Sequence, residues 1–258
     1  MITLLEATKK YIHRFSGIRI STRPDYIDDE VLTILKEYKV TTIELGAQSM
    51  CDNVLEANNR GHSSEDVINA STLIKSYGFN LGLQMMTGLY KATPESDLYT
   101  AEKFVSLKPQ CVRIYPTVIV NNTDLENLYK SGKFKPNTLE ESVNLCAKLV
   151  MTFYENNIDV IRLGLHYSDS LVSGSVVDNY HPAFKELCES KILLDKFINF
   201  ADKLTAKDLI VSVSPKSVSK FIGQNRSNIT KLEDLGYKVS IERDSSLNKY
   251  DILVKEKS

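Results

Sequence analysis

The feature of this sequence that most restricts its fold is an alternation of short apolar segments with helix-patterned segments. Val40–Leu45 and Cys111–Tyr115 are typical of the apolar segments, and each precedes a helical pattern. Short, almost continuously apolar strands joined by helices indicate parallel strands that are buried on both faces and connected by right-handed crossovers. The predicted strands of this kind are 17–21, 40–45, 79–86, 111–115 and 158–163.

The number of strand–helix units favours part of a TIM-type βα barrel over an open dinucleotide-binding sheet. Four units and a fifth strand precede residue 165, and the sequence contains neither GxGxxG nor GxxxxGK[ST]. After residue 207 the pattern changes to strand, helix, turn, helix, strand and strand. The predicted fold class is therefore α/β, with an incomplete parallel βα barrel (1–165), a helical extension (166–206) and a small α+β module (207–258). Two less regular stretches are predicted as a helix (3–15) and a loop (168–179).

Composition is that of an ordinary soluble globular protein, with 42% hydrophobic and 25% charged residues. No apolar run approaches the ~20 residues that span a bilayer, and the first 20 residues lack the apolar core of a signal peptide. We therefore predict a cytoplasmic protein with no membrane partner. The cysteines are too far apart for any metal-ligand spacing, so the sequence predicts no metal site. They stand at Cys51, Cys111, Cys146 and Cys188.

Polar phrases follow the predicted strands at the points where the strands end. In a parallel βα barrel, ligands bind at the carboxyl ends of the strands, where the loops converge. We therefore predict that Gln48, Gln84 and Tyr115 face one cleft and that Arg60 lies at its edge. The phrases themselves are Ser21-Thr22-Arg23, Gln48-Ser49, Gln84 to Gly88, and Tyr115-Pro116-Thr117.

Several of these phrases resemble the core of the radical S-adenosylmethionine (SAM) enzymes, in the branch of the catalytic subunit of Elongator. The resemblance begins with Ile18 to Asp25 and continues through Ile43 to Ser49 and Asn59-Arg60-Gly61-His62. Arg113 to Ile119 and Val160 to Leu165 are similar to later segments of the same branch.

The resemblance covers roughly residues 3–165. Beyond it, His181-Pro182-Ala183-Phe184 resembles a bacterial subgroup that lacks the acetyltransferase domain.

The resemblance implies a SAM site along the predicted rim and an enzyme that cleaves SAM reductively to a 5′-deoxyadenosyl radical. Its implied substrate is the wobble uridine of tRNA, and its implied cofactors are SAM and a 4Fe–4S cluster. A planar guanidinium suits the SAM carboxylate, and a glycine lets backbone approach a ligand closely. The implied SAM ligands are Arg60 for the carboxylate, Gln48 and Gln84 for the ribose, and Met86, Gly88 and Tyr115 for the adenine.

Each of these residues also has an ordinary structural interpretation. Arg60 can cap the helix before it or pair with a surface carboxylate. Buried glutamines at strand ends commonly satisfy backbone groups. Arg23-Pro24-Asp25 fits a turn, and His62 fits a loop. Their co-occurrence on one rim is what favours the binding site.

The iron–sulfur cluster is the part of the family's machinery that this sequence does not provide. The family holds it on a CxxxCxxC loop upstream of the matching phrases, and this chain contains no such loop. Because three thiolates are needed to hold the cluster, we expect an amino-terminally truncated member that is inactive alone. An amino-terminal fragment that supplies the missing strands and the cluster loop is the expected partner. A cluster-free RNA-binding remnant and an unrelated βα-barrel metabolic enzyme are the open alternatives.

The carboxyl-terminal segment Val218 to Ile229 is similar to the helix–turn–helix of KH modules, whose GxxG loop clamps a nucleic-acid backbone. Here the loop reads Gly223-Gln224-Asn225-Arg226, so arginine replaces the second glycine. Residues 203–258 contain 11 Lys and Arg against 7 Asp and Glu, an excess that suits a nucleic-acid partner. By this resemblance tRNA contacts Lys220, Gly223 and Arg226, whereas a packing module without a ligand is the alternative.

Overall fold

This computed structural model describes residues 2–257; the side chains at positions 169, 170 and 172 lie outside the description. The chain forms two compact units, and one stretch of helix that interrupts the first unit in sequence belongs to the second. The first unit contains the chain up to residue 138 and residues 152–180, and the second contains 139–151 and the chain from residue 181 onward.

The first unit is built on a five-stranded parallel sheet in simple sequence order, β1-β2-β3-β4-β5. This confirms the predicted α/β class and the predicted order of parallel strands. The strands are β1 (Ile18–Thr22), β2 (Val40–Gln48), β3 (Asn80–Thr87), β4 (Cys111–Pro116) and β5 (Asp159–Leu163).

Helices connect these strands, and several begin at the caps that the sequence contains. Ser63 and Asp66 form a reciprocal capping box at the start of α4. Thr93 and Ser96 do the same for α5, with Pro94 at the first helical position. The helices are α1 (Ile2–Thr8), α2 (Asp29–Glu37), α3 (Asp52–Ala57), α4 (Ser64–Ser76), α5 (Pro94–Leu107), α6 (Asp124–Lys130), α7 (Leu139–Glu155) and α8 (Asp169–Gly174).

The two faces of the parallel sheet differ in character. Alternate residues of β3, such as Leu81, Leu83 and Met85, are fully buried. Residues between them, such as Gln84 and Met86, keep part of their surface accessible. Because successive side chains of a strand point to opposite faces, one face carries the apolar core and the other is open to polar groups.

Two predictions for the first unit were wrong. The helix predicted over 3–15 ends at Thr8, whose hydroxyl donates 2.7 Å to the Leu5 carbonyl and so competes with continued helix. The loop predicted over 168–179 contains α8, which begins where the Ser168 hydroxyl accepts a hydrogen bond from the Leu171 N–H. The short helix α6 was not predicted at all.

The second unit is an α+β arrangement of most of α7, three further helices and a three-stranded sheet. Its sheet has the order β7-β6-β8, with β6 parallel to β7 and antiparallel to β8. The elements are α9 (Phe184–Ala201), β6 (Asp208–Val213), α10 (Val218–Ile222), α11 (Ser227–Asp234), β7 (Lys238–Arg243) and β8 (Ile252–Glu256).

A single apolar core holds the second unit together. Phe197 of α9 makes edge contacts with Phe221 and Tyr237, at ring-centroid distances of 5.6 and 5.8 Å. The helix α9 therefore shares its core with the strands that follow it. The division into 1–165, 166–206 and 207–258 stays a prediction. Across residues 2–257, every helix is too short or too polar to cross a membrane.

Candidate functional site

The predicted SAM ligands lie toward the carboxyl ends of neighbouring strands. Gln48 ends β2 and pairs in register with Met85 of β3, and Met86 pairs with Tyr115 of β4. The carboxyl ends of parallel strands meet at one edge of a sheet. Parallel register therefore brings Gln48, Met86 and Tyr115 to that edge from three strands.

Below this edge, a buried carboxylate organises the polar face of the sheet. Glu44 of β2 is 1% exposed and accepts hydrogen bonds from the Arg19 guanidinium at 2.7 Å. It also accepts from Arg113 Nε and Nη2 at 2.5 and 3.0 Å, and from Gln84 Nε2 at 2.8 Å. Gly82 leaves room for this arrangement, because a Cβ there would lie 2.7 Å from Glu44 Cγ.

The charges of this cluster stabilise one another. Burial raises the pKa of Glu44, but the hydrogen bonds from Arg113, Arg19 and Gln84 outweigh that effect and the net pKa lies below its ordinary value. The pKa of Arg113 is raised in turn by Glu44 and, to a smaller extent, by Tyr115. Glu44 therefore stays ionised and holds both guanidinium groups in fixed positions.

Gln84 belongs to this cluster through its amide nitrogen. Nε2 donates to Glu44 at 2.8 Å and to the Ser21 hydroxyl at 3.0 Å. Both amide protons are therefore used, and the amide oxygen is the group of Gln84 that is left for a ligand. Its predicted ribose contact stays a prediction.

Arg60 lies between α3 and α4 with an incomplete set of partners. Its Nη2 donates 3.1 Å to the sulfur of Met86, and its Nε is buried without a hydrogen-bond partner among residues 2–257. Burial alone lowers the pKa of the guanidinium. A thioether is a weak acceptor, so this half-buried cation lacks an anionic partner among the described residues. The structure thus brings Arg60 and Met86 together, while their contacts with SAM stay predictions.

The chain turns sharply after β3 at Gly88, which has a φ of +68°. A Cβ at this position would lie 3.0 Å from the Asn137 amide nitrogen, so glycine is favoured by both conformation and space. The Gly88 N–H donates 2.9 Å to Asp97 of α5. Asp97 is 2% exposed, and burial raises its pKa to about 7 despite that hydrogen bond.

Gln48 has a left-handed backbone, with a φ of +65°, where β2 changes register against β3. Its amide nitrogen lies over Gly46, where a Cβ would approach it to 2.9 Å. Left-handed conformations of non-glycine residues concentrate at functional sites. Its role as a ribose ligand stays a prediction.

The remaining rim residues have the ordinary roles that the sequence allows. Arg23 pairs with Asp25 at 2.7 Å and donates to the Gly61 carbonyl at 3.1 Å, around a short turn. The ring nitrogens of His62 lie 3.1 and 3.3 Å from the Ala47 and Arg60 carbonyl oxygens. Both residues therefore fix the loop that carries Arg60.

Sequence reasoning missed a buried polar group next to the Gly88 turn. Asn179, 2% exposed, donates 3.2 Å to the carbonyls of Thr117 and Asn137. The Asn179 amide oxygen and the Thr117 hydroxyl are both buried without a hydrogen-bond partner in the described structure. Asn179 stands in the stretch predicted as a loop, where the sequence gives no sign of burial.

The residues predicted to contact nucleic acid lie in the second unit, and they differ in how available they are. Lys220 pairs at 2.7 Å with Glu189, a buried carboxylate that also binds Lys249 at 2.6 Å. Burial raises the pKa of Glu189, but the two lysines lower it by more. The net pKa of Glu189 therefore lies below its ordinary value. The charge of Lys220 is thus largely neutralised within the protein.

The turn between α10 and α11 has the backbone that a glycine-rich loop would have. Gly223 has a φ of +80°, and a Cβ there would lie 2.9 Å from the Asn228 nitrogen. Asn225 and Arg226 both adopt left-handed conformations, with φ of +52° and +63°. Arg226 is exposed, and no ion pair holds its guanidinium within residues 2–257. Its contact with nucleic acid stays a prediction.

A 4Fe–4S cluster does not fit the residues of this chain. Cys111, Cys146 and Cys188 are buried and Cys51 is half-buried, and all four are free thiols. Among residues 2–257, no three His, Cys, Asp or Glu side chains are grouped as a metal site. Because the cluster needs three thiolates together, no chemical step through it can be assigned to this chain alone.

Comparison with known proteins identifies the class to which this fold and rim belong. The sequence profile of the Radical SAM superfamily matches residues 2–104, and that of the Radical SAM C-terminal domain matches residues 109–193. Together they cover more than two thirds of the chain. The chain belongs to the radical SAM superfamily.

Its similar proteins lie in the Elongator branch, as predicted. The chain is 33% identical over 147 residues to a "tRNA uridine(34) acetyltransferase" of Methanocaldococcus infernus. The matched region covers 54% of this chain and 27% of that protein. It is 33% identical over 137 residues to human "Elongator complex protein 3", or 52% of this chain and 25% of that one.

A solved structure of the same branch has a similar fold. Methanocaldococcus infernus Elp3 with an N-terminus deletion superposes with a TM-score of 0.59 at 25% identity, over 74% of this chain and 43% of that one. The sequence matches span about a quarter of the length of the archaeal acetyltransferase and of the human protein.

Proposed function

We propose that this chain binds S-adenosylmethionine at the carboxyl edge of β2, β3 and β4 and contributes that site to the modification of uridine in tRNA. Membership of the radical SAM superfamily supports the first part. The names of the archaeal relatives, which refer to tRNA uridine 34, support the second. The family membership also excludes the unrelated metabolic barrel as an alternative.

The observation that carries the proposal is the half-buried, under-partnered guanidinium of Arg60, whose Nε is fully buried. Partial burial of a cation without an anion costs free energy, and part of that cost is recovered when an anionic ligand binds. Among residues 2–257, the only side-chain acceptor of Arg60 is the Met86 sulfur, on the strand that leads into the Gly88 turn. A ligand carboxylate on Arg60 would place the rest of an amino-acid-linked nucleoside along the edge of the sheet.

The other rim residues would hold the nucleoside part of the ligand. The amide groups of Gln48 and Gln84 would bind ribose hydroxyls, and Met86, Gly88 and Tyr115 would line the adenine. The Glu44 cluster would position Gln84 and Arg113, while Asp97 would fix the Gly88 turn through its N–H. When bound, SAM supplies this family with a 5′-deoxyadenosyl group for radical chemistry.

The cluster would come from a partner chain that carries the CxxxCxxC loop. β1 has a strand neighbour on one side only within the described structure, because it stands first in the sheet. A free strand edge with unpaired backbone groups is able to receive a further strand. An amino-terminal fragment that pairs there would bring its loop to the same carboxyl edge. A cytoplasmic location suits this role and stays a prediction.

Replacing Arg60 by leucine is expected to weaken SAM binding at least tenfold while stabilising the free chain. The first effect follows from losing a charge-assisted hydrogen bond, worth about 1.5–3 kcal/mol, and the second from removing a half-buried charge that has no ion-pair partner in the described structure. Equilibrium dialysis with labelled SAM and urea unfolding measure the two effects. Arg14→Leu, at an exposed position, is the matched control. Unchanged SAM affinity in Arg60→Leu would remove the assignment.

The purified chain, reconstituted anaerobically with iron and sulfide, is expected to bind no stoichiometric 4Fe–4S cluster and to form no 5′-deoxyadenosine. The reason is that its four thiols are separated from one another and three of them are buried. Absorbance near ~400 nm and chromatography of the nucleoside products check this. Cluster absorbance that disappears when one cysteine is replaced by serine would contradict the prediction.

A cluster-free RNA-binding protein is the second candidate function. It is favoured by the exposed, unpaired Arg226 in a left-handed turn between two helices. This candidate predicts tRNA binding without SAM binding, whereas the leading proposal predicts both. Measuring both ligands on the same preparation separates the two.

A further inference from the structure

The second unit contains a cavity of about 410 Å³ that none of the predicted site residues lines. Its walls come from the first half of α7, the middle of α9 and the first turns of α11, all within that unit. Ligand cavities of proteins begin at about 300 Å³, so this one accommodates a group of nucleotide size.

The cavity has an apolar floor and a polar rim. Leu139, Val143, Leu187 and Leu194 supply its apolar surface. The polar rim combines hydrogen-bonding side chains with one acidic residue, Glu140, and two lysines, Lys191 and Lys231. Lys191 is paired with Asp195 at 2.5 Å, whereas Lys231 is exposed and has no ion pair within residues 2–257. Such a lining suits a flat, partly polar ring with a negative charge nearby.

One of the polar side chains of the cavity is held rigidly. Asn228, 5% exposed, donates through Nδ2 to the carbonyl and hydroxyl of Ser190 at 3.0 and 2.9 Å and to the Phe221 carbonyl at 3.0 Å. Both amide protons are therefore used, and its Oδ1 is the group left for a ligand. A fixed acceptor of this kind selects ligands that carry an N–H group.

In sequence, the lining residues of the cavity directly follow the left-handed turn. Arg226 closes that turn, and Ser227 and Asn228, the next two residues, already line the cavity. Arg226 therefore directly precedes the lining residues in sequence, and Lys231, five residues further on, is itself one of them. Lys and Arg side chains bind the phosphates of nucleic acids irrespective of sequence.

We propose that this cavity takes one unstacked nucleobase of an RNA strand whose phosphates contact Arg226 and Lys231. Sequence-specific RNA recognition commonly uses single-stranded loops whose bases are turned outward into protein pockets. The base would lie on the leucine and valine floor and donate an N–H to Asn228. The inference rests on the proposed tRNA substrate and names where the second unit would hold it.

The test uses the full chain and an unmodified tRNA transcript, with affinity measured by fluorescence anisotropy at two salt concentrations. Val143→Trp, which fills the cavity from a half-buried wall position, is expected to weaken binding at least tenfold. Lys231→Ala, at an exposed position, is expected to weaken it about threefold and to reduce its salt dependence. Leu235→Trp, exposed on the same unit outside the cavity, is the matched control and should bind like the wild type.

A transcript containing 4-thiouridine gives a second readout, because crosslinks map the position of the base. Crosslinks to α7 or α9 that Val143→Trp abolishes support the proposal. Wild-type affinity in both Val143→Trp and Lys231→Ala overturns it, and if Arg226→Ala still weakens binding, the proposed tRNA substrate survives. A wild-type chain that binds no tRNA overturns both. If Val143→Trp fails to fold by circular dichroism, Lys231→Ala and the crosslink positions decide.

Discussion

Replacing Glu44 by alanine is expected to lower the free energy of unfolding by about 3 kcal/mol. The carboxylate is 1% exposed and accepts four hydrogen bonds from Arg19, Arg113 and Gln84. Its removal leaves two guanidinium groups side by side without a counter-charge, which is the costly way to break a buried ion pair. Urea unfolding followed by circular dichroism measures the loss.

Two control variants distinguish the loss of the buried Glu44 cluster from the loss of a charge alone. Arg19→Ala should cost only about 1 kcal/mol, because its side chain is 43% exposed and Glu44 keeps both bonds to Arg113. Glu102→Ala, on the exposed face of α5, should change stability by less than about 0.5 kcal/mol. If Glu44→Ala costs no more than Glu102→Ala, the cluster does not hold the sheet together.

The sign of the pH dependence follows from the lowered pKa of Glu44. A carboxyl whose folded pKa lies below its ordinary value of 4.5 adds stability at neutral pH and loses it as pH falls through the folded pKa. The Glu44→Ala chain should therefore lose less stability than the wild type between neutral pH and acid.

The parallel sheet and the edge that carries the candidate site were predictable from the sequence because both depend on local patterns. Apolar strands of five or six residues, separated by helices with recognisable caps, determine strand order through the right-handed crossover rule. Once the strands are parallel, Gln48 and Tyr115 must lie at the same edge. The caps at Ser63 and Thr93 are recognisable in the sequence because their hydrogen bonds span only three residues.

The partners of the charged side chains were not predictable, because they depend on register between distant strands. Glu44 stands 69 residues from Arg113, and the bonds between them require β3 to lie between β2 and β4 with a glycine facing the carboxylate. The sequence offered one signal of this cluster, namely a charged residue inside each of three apolar strands. The partner of Glu189 in the second unit was unpredictable for the same reason. Glu189 forms an ion pair with Lys220, which the sequence analysis assigns to RNA binding.

Replacing Asp97 by asparagine is expected to stabilise the chain at pH 8 by about 2–4 kcal/mol, at 1.36 kcal/mol per unit of pKa shift. The carboxyl is 2% exposed, and burial raises its pKa from 3.8 to about 7. The folded chain therefore binds this proton more tightly than the unfolded chain does. The free energy of unfolding of the wild type should then fall as pH rises from about 4 to 7. Asparagine keeps an acceptor oxygen for the Gly88 N–H and carries no charge to bury.

The dependence on pH is what distinguishes this effect from better packing. The advantage of Asp97→Asn should vanish near pH 3.5, where both states of the wild type carry a protonated carboxyl. The same substitution at Asp66, which caps α4 and whose pKa is lowered by hydrogen bonds from Ser63, should instead destabilise at pH 8. Urea titrations of the three proteins at pH 3.5, 6 and 8 give the comparison. An equal gain for Asp97→Asn at all three pH values would show that its charge is not the cause. Because Asp97 holds the turn proposed to receive adenine, a confirmed gain would mean that this edge of the sheet retains a destabilising charge.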